Sequence, residues 1–175
     1  MAFDVLEERG VYSGKVVGLR SDRVRLPNGH VSTLETVVHG PSAAVVPILP
    51  DGNVLLLRQF RYAARGTILE IPAGVVNPGE DPETCARREL EEETGYTAGG
   101  MEPLGGFMLA PGYCDEVIHL FVAGDLVPGE QALEPSEVIH LAPYSVEDIE
   151  ERIRTGEIID AKTVIGVMLA FHATR

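Results

Sequence analysis

The chain has 175 residues, 45% hydrophobic and 23% charged, with a formal net charge of −13. That length suits one domain with a substantial core, and the negative charge with no visible basic patch argues against nucleic acid as a partner. No apolar run reaches the span of a bilayer and MAFDVLEERG lacks the basic and apolar regions of a secretory leader, so a cytoplasmic protein with no membrane partner is expected.

In chain order, β signals come first. VYSGKVVGL, DRVRL, HVSTLETVVHG, AAVVPIL and NVLLLRQFRY are rich in β-branched residues, with turns at Pro27-Asn28-Gly29 and Asp51-Gly52-Asn53. A short helix follows, which Asp81 caps, Pro82 opens and Gly95 ends in the left-handed conformation. Strands are expected near GFML and VIHLFVAG, with Gly99-Gly100 and Gly105-Gly106 as ordinary loop glycines, and again at VIHL. Two helices close the chain: SVEDIEERIRTG, capped by Ser145 and stopped at Gly156, and DAKTVIGVMLAFHATR, opened by Asp160. Strands, helix, strands and helices in that order suggest an α+β sandwich with a sheet between helices.

The short helix carries the chemistry. At about 100° per residue, Glu89, Glu92 and Glu93 share one side of it, while Ala86 and Leu90 face the core. Carboxylates so close repel one another, and on a plain surface they would be no more than a solvated acidic face. Hard cations such as Mg²⁺ take oxygen ligands and bridge carboxylates to substrate phosphates, so the arrangement makes sense if metal arrives with substrate. Cys85 and Cys114 have no metal-type spacing and read as reduced intracellular thiols. The five histidines are scattered, and neither G-x-S-x-G nor a dinucleotide-binding glycine pattern is present.

Residues 74–96, GVVNPGEDPETCARRELEEETGY, match every fixed position of the pattern G-x5-E-x7-R-E-U-x-E-E-x-G-U, where U is bulky and apolar; only Tyr96 fits loosely. This stretch resembles the Nudix box. The resemblance implies a Nudix-type α/β/α sandwich with a mixed β-sheet, and metal held by Glu89, Glu92, Glu93 and the backbone carbonyl of Ala73. It further implies that Arg88 orients the glutamates, that Glu80 supports the loop after Gly74, and that Mg²⁺, with Mn²⁺ as a substitute, is the cofactor. Pro111, fifteen positions past Tyr96 in Ala110-Pro111-Gly112, is similar to the marker of the ADP-ribose pyrophosphatase subgroup, which usually reads Ser-Pro-Gly. RQFR, LEIPAG and GEIIDAKT resemble the same subgroup, so that Arg61 looks like the arginine reaching the substrate's phosphates, with Pro111 and Gly112 also at the substrate.

That subgroup carries a general base on a loop after the box. Here the loop is PGEQALEPSEVIHL, where Glu137 is similar in placement and Glu134 is the reserve. The function implied is metal-dependent hydrolysis of ADP-ribose to AMP and ribose 5-phosphate. Two alternatives stay open: cleavage of another nucleoside diphosphate sugar or FAD, and a sensor that binds a nucleotide without cleaving it. Residues 1–40 are expected to form a separate small antiparallel sheet which, in similar enzymes, helps pair two subunits into a homodimer. Residues 41–175 would be the hydrolase domain.

Overall fold

The computed structural model describes residues 2–172; the last three residues of the expected C-terminal helix lie outside them. The chain divides into two compact units, residues 1–41 with 108–117, and residues 42–107 with 118–175.

The first unit is an antiparallel sheet built around β3 (Gly18–Arg25). β4 (Val31–Val38) lines one edge of β3, while β1 (Asp4–Glu7) and β2 (Gly10–Ser13) follow one another along the other. VYSGKVVGL is therefore not one strand. It breaks at a turn in which the Gly14 amide donates to the Val17 carbonyl at 2.9 Å, where the Tyr12 ring leaves no room for a Cβ on Gly14. DVLE, given no strand by its sequence, adds β1. The Pro27-Asn28-Gly29 turn forms as read, with Gly29 at φ 85° and the Leu26 amide bonded to the His30 carbonyl. Residues 110–115 join this unit through the Val37 amide, which donates to the Tyr113 carbonyl at 2.7 Å.

In the second unit, β5 (Ser42–Pro47) lies between β8 (Ala73–Val75) and β10 (Val117–Pro128), with β9 (Tyr96–Met108) at the far edge. β5 runs parallel to β10 and antiparallel to β8, so the sheet is mixed. A second, antiparallel sheet has β6 (Val54–Arg61) between β11 (Ile139–Tyr144) and β7 (Gly66–Glu70). Three helices complete the described residues: α1 (Pro82–Thr94), α2 (Val146–Arg154) and α3 (Ala161–His172). None is long and apolar enough to cross a membrane.

Every residue of β5 is buried, as a strand covered on both faces must be. Alternation sends Ala43 and Val45 toward α1, where they form a core cluster with Cys85, Ala86, Leu90, Phe121, Ala123 and Leu126. Val46 meets α3 at Gly166, where a Cβ would lie 2.9 Å from the valine methyl. Helices thus cover opposite faces of one sheet, the expected α+β layering. Tyr96, the loose fit in the motif, packs half-buried against the α1 cluster, which an aromatic ring fills as well as an aliphatic chain.

β9 corrects the reading of its glycines as loop residues: the strand runs thirteen residues through all four of them and Pro103. An edge strand tolerates proline, and Gly99 allows close approach to β10, since a Cβ there would lie 2.9 Å from that of Asp125.

Candidate metal-dependent active site

α1 has the ends its sequence prescribes. Asp81 accepts hydrogen bonds from the Glu83 and Thr84 amides, Pro82 occupies the first turn, and Gly95 closes the helix at φ 77° with its amide bonded to the Glu91 carbonyl. The preceding loop is braced by Glu80, whose carboxylate accepts the Asn77 amide at 2.8 Å.

Arg88 organises the carboxylates. Its Nε and Nη2 grip both oxygens of Glu80 at 3.0 and 3.1 Å, and its Nη1 donates to Glu89 at 2.5 Å and to Glu92 at 3.0 Å. The planar guanidinium suits this, since its fork matches one carboxylate edge while further donors point elsewhere. The Glu80 hydrogen bond, first among several causes, raises the Arg88 pKa, and Arg88 in turn lowers that of Glu80.

Glu89 and Glu93 are buried acids. Burial pushes the Glu89 pKa up against the pull of Arg88. Burial also pushes Glu93 up to about 8, aided by the charges of Glu89 and Glu137 and opposed by the Ala73 amide, which donates to it at 2.9 Å. Gly74 makes room for Glu89, because a Cβ there would sit 1.9 Å from the Glu89 Oε1. Only glycine leaves that carboxylate its place.

The oxygen-only donor set, buried and mutually repelling, suits a hard divalent cation better than a soft one. Among the described residues, no three acidic, His or Cys side chains converge closely enough to form a metal cage as they stand. Arg88 holds Glu89 and Glu92, and the Ala73 amide holds Glu93.

The loop after β10 is fastened to the end of α1. Gln131 Nε2 donates to the Glu93 carbonyl at 2.6 Å and the Ala132 amide to that of Glu92 at 2.8 Å, which satisfies two carbonyls the helix end leaves open. Gly95 and Gly129 permit this approach; a Cβ on either would lie within 3.0 Å of the other's carbonyl oxygen. Farther along, Glu137 accepts the Glu134 amide at 2.8 Å, and its charge is felt by both Glu89 and Glu93. Glu134 meets Ser136 at 3.5 Å.

Arg61, at the end of β6, forms a bidentate pair with Glu70 at 2.7 and 3.1 Å, and also feels the charge of Glu93. Its burial disfavours the charge, but Glu70 outweighs that and raises its pKa. Glu70 is itself held by Lys162, a pairing the sequence reading left unassigned. The available signal was a lone glutamate between apolar residues in TILEIP. Pro111 and Gly112 lie in the other unit, in a turn closed by the Tyr113 and Cys114 amides on the Ala110 carbonyl.

Residues 38–164 match the NUDIX domain family. The chain is 38% identical over 159 residues to an ADP-ribose pyrophosphatase of Bacillus subtilis (strain 168), covering 90% of this chain and 86% of that protein. It is 42% identical over 159 residues to a methanol dehydrogenase activator of Bacillus methanolicus, with the same coverage of 90% and 86%. A crystal structure of an ADP compounds hydrolase superposes with a TM-score of 0.86 at 22% identity, covering 97% of this chain and 92% of that one, which shows the shared fold.

Proposed function

Because this chain belongs to the NUDIX family, we propose that it hydrolyses the diphosphate of ADP-ribose to AMP and ribose 5-phosphate with a divalent cation, Mg²⁺ or in its place Mn²⁺. The observation that carries this is Glu89 and Glu92 paired with Arg88 beside the buried Glu93, with Arg61 close enough to Glu93 for their charges to interact. Glu89, Glu92, Glu93 and the Ala73 carbonyl would hold the cation. When bound, it offsets phosphate charge and lowers the pKa of the attacking water.

The protein's own groups supply the rest. Arg61 offers the phosphate oxygens the guanidinium edge that Glu70 does not use. Glu137 takes the proton from water as its oxygen bonds to phosphorus and the bridging P–O bond breaks. Its charge reaches Glu89 and Glu93, which favours Glu137 over its neighbour Glu134 as base. Arg88 and Glu80 keep the glutamates facing one way. Pro111 and Gly112 are assigned to substrate contact. Phe3, Val5 and Leu34, exposed around a cavity of about 370 Å³ on the N-terminal sheet, suit coverage by a second copy, so a homodimer is inferred. The free thiols Cys85 and Cys114 suit the cytoplasm.

The test is product analysis after incubation with ADP-ribose and Mg²⁺, with a chelator control, beside a panel of other nucleoside diphosphate sugars and FAD. AMP and ribose 5-phosphate appearing only with metal support the proposal; faster cleavage of another substrate reassigns it. Glu137→Gln should lower kcat by about 10²–10⁴-fold with KM nearly unchanged. The 42% identity to the Bacillus methanolicus protein favours one second reading, activation of a dehydrogenase. Methanol dehydrogenase rates with wild type and Glu93→Gln decide whether activation occurs and whether it needs hydrolysis.

A further inference from the structure

We propose that Lys162 is a positioning residue: acting through Glu70, it fixes which edge of Arg61 faces the substrate's diphosphate. This rests on the reading that Arg61 binds those phosphates.

Glu70 lies at the end of β7 with its side chain 1% exposed, an environment that admits a carboxylate only if it is well paired. Lys162 Nζ donates to its Oε2 at 2.5 Å and forms an ion pair with Asp160 Oδ2 at 3.1 Å. Arg61 approaches the same carboxylate with Nε and Nη2. A guanidinium has five N–H donors, so two are committed to Glu70 and three remain. Arg61 is 41% exposed where Lys162 is 10% exposed, so the buried cation lies on the inner side of Glu70 and the guanidinium on the accessible side.

The set is balanced, two carboxylates against two cations. Lys162 touches both acids, while Arg61 touches only Glu70 and feels Asp160 at longer range. Without Lys162, both carboxylates would bear on Arg61 alone. The guanidinium would then be drawn toward Asp160 or shared between the two, and its free edge would turn from the diphosphate.

The surrounding backbone holds this arrangement in place. Thr163, bonded through its hydroxyl to Asp160, accepts the Ile71 amide at 2.9 Å. Two residues on, the Ala73 amide donates to Glu93. Residues 70–73 are thus anchored to α3 at one end and to α1 at the other. Gly166 lets α3 come close enough, since a Cβ there would lie 3.2 Å from the Ile71 methyl.

The experiment is a double-mutant cycle on turnover of ADP-ribose, with Lys162→Met, Arg61→Ala and the pair. Lys162→Met should raise KM about tenfold with kcat changed less than about threefold, the scale of losing a partner that orients a binding group. In the Arg61→Ala background it should raise KM less than about twofold, because the residue it acts through is gone. Lys162→Arg should restore most of the wild-type KM. A KM unmoved by Lys162→Met, or effects that multiply in the double variant, overturns the proposal, since a purely structural lysine would act with or without Arg61. If the methionine variant does not fold, Lys162→Gln keeps a donor to Glu70 without the charge and enters the same cycle. A wild type inert on ADP-ribose and on every other nucleoside diphosphate tested rejects the functional reading and this proposal together. An active wild type with a multiplicative cycle rejects this proposal alone.

Discussion

α1 and α2 are built from the same residue types and behave differently. In α2, acids Glu147 and Asp148 occupy the first turn and Arg152 and Arg154 the last, which complements the helix dipole. Its Arg154–Glu151 pair is 73% and 55% exposed, in the range where such pairs contribute little. α1 has no basic residue in its last turn and places Glu91, Glu92 and Glu93 there, against the dipole. Two of its acids are also buried. A helix selected for stability alone resembles α2; departure from those rules in α1 marks where function sets the sequence.

The contrast can be tested by substitution. Glu93→Gln should lower turnover by roughly a thousandfold, beyond the 10–100-fold typical of groups that only support metal ligands, without loss of melting temperature. Turnover within tenfold of wild type would remove Glu93 from the metal site. Gly74→Ala should cost about a hundredfold, because its Cβ displaces the Glu89 carboxylate and displacements of about 1 Å have that effect. A crystal structure with Glu89 unmoved would contradict this.

Arg88→Ala should lower activity about 10–100-fold and stability by about 1–3 kcal/mol, less than for a fully buried pair because Arg88 is partly exposed. Arg154→Ala, the control from α2, should change stability by less than about 0.5 kcal/mol in the same denaturant titration. Similar losses from the two would erase the distinction between the helices.

A smaller effect concerns pH. Glu93 titrates near its ordinary 4.5 when unfolded and at about 8 when folded, so the folded state holds more protons between those values. The stability of the metal-free protein therefore declines as pH rises from about 4.5 through about 8. Melting temperatures in chelator should show that decline, and Glu93→Gln should reduce it. A fixed Mg²⁺ concentration equal to about a hundred times its Kd at pH 8 should add about 2.7 kcal/mol there and less at lower pH, where Glu93 holds its proton, and so flatten the slope. An identical slope in Glu93→Gln would mean that other groups carry it.

What was legible in the sequence was local. Asp81, Pro82 and Gly95 bound α1 because capping involves groups only a few residues apart, and Glu80, Arg88, Glu89 and Glu92 meet because helix and loop geometry bring them together. β9 was not legible as one strand, since its glycines and Pro103 resemble a loop until β10 lies beside them. Nor was the Lys162–Glu70 pair, whose members are 92 residues apart and meet only when α3 packs on β5. The motif also gave no reason for Tyr96, which the apolar cluster on α1 explains.

The loop carrying Glu137 is tethered at both ends: the Ala132 amide to the end of α1, and the Val138 carbonyl to the Phe60 amide. Only residues 133–137 lie between these anchors, a contour of roughly 17 Å at about 3.3 Å per residue. The carboxylate is therefore on a short leash of fixed length, and adding or removing residues there would change its reach without disturbing α1. Such a segment is a suitable place for grafting a different reach onto an unchanged α1.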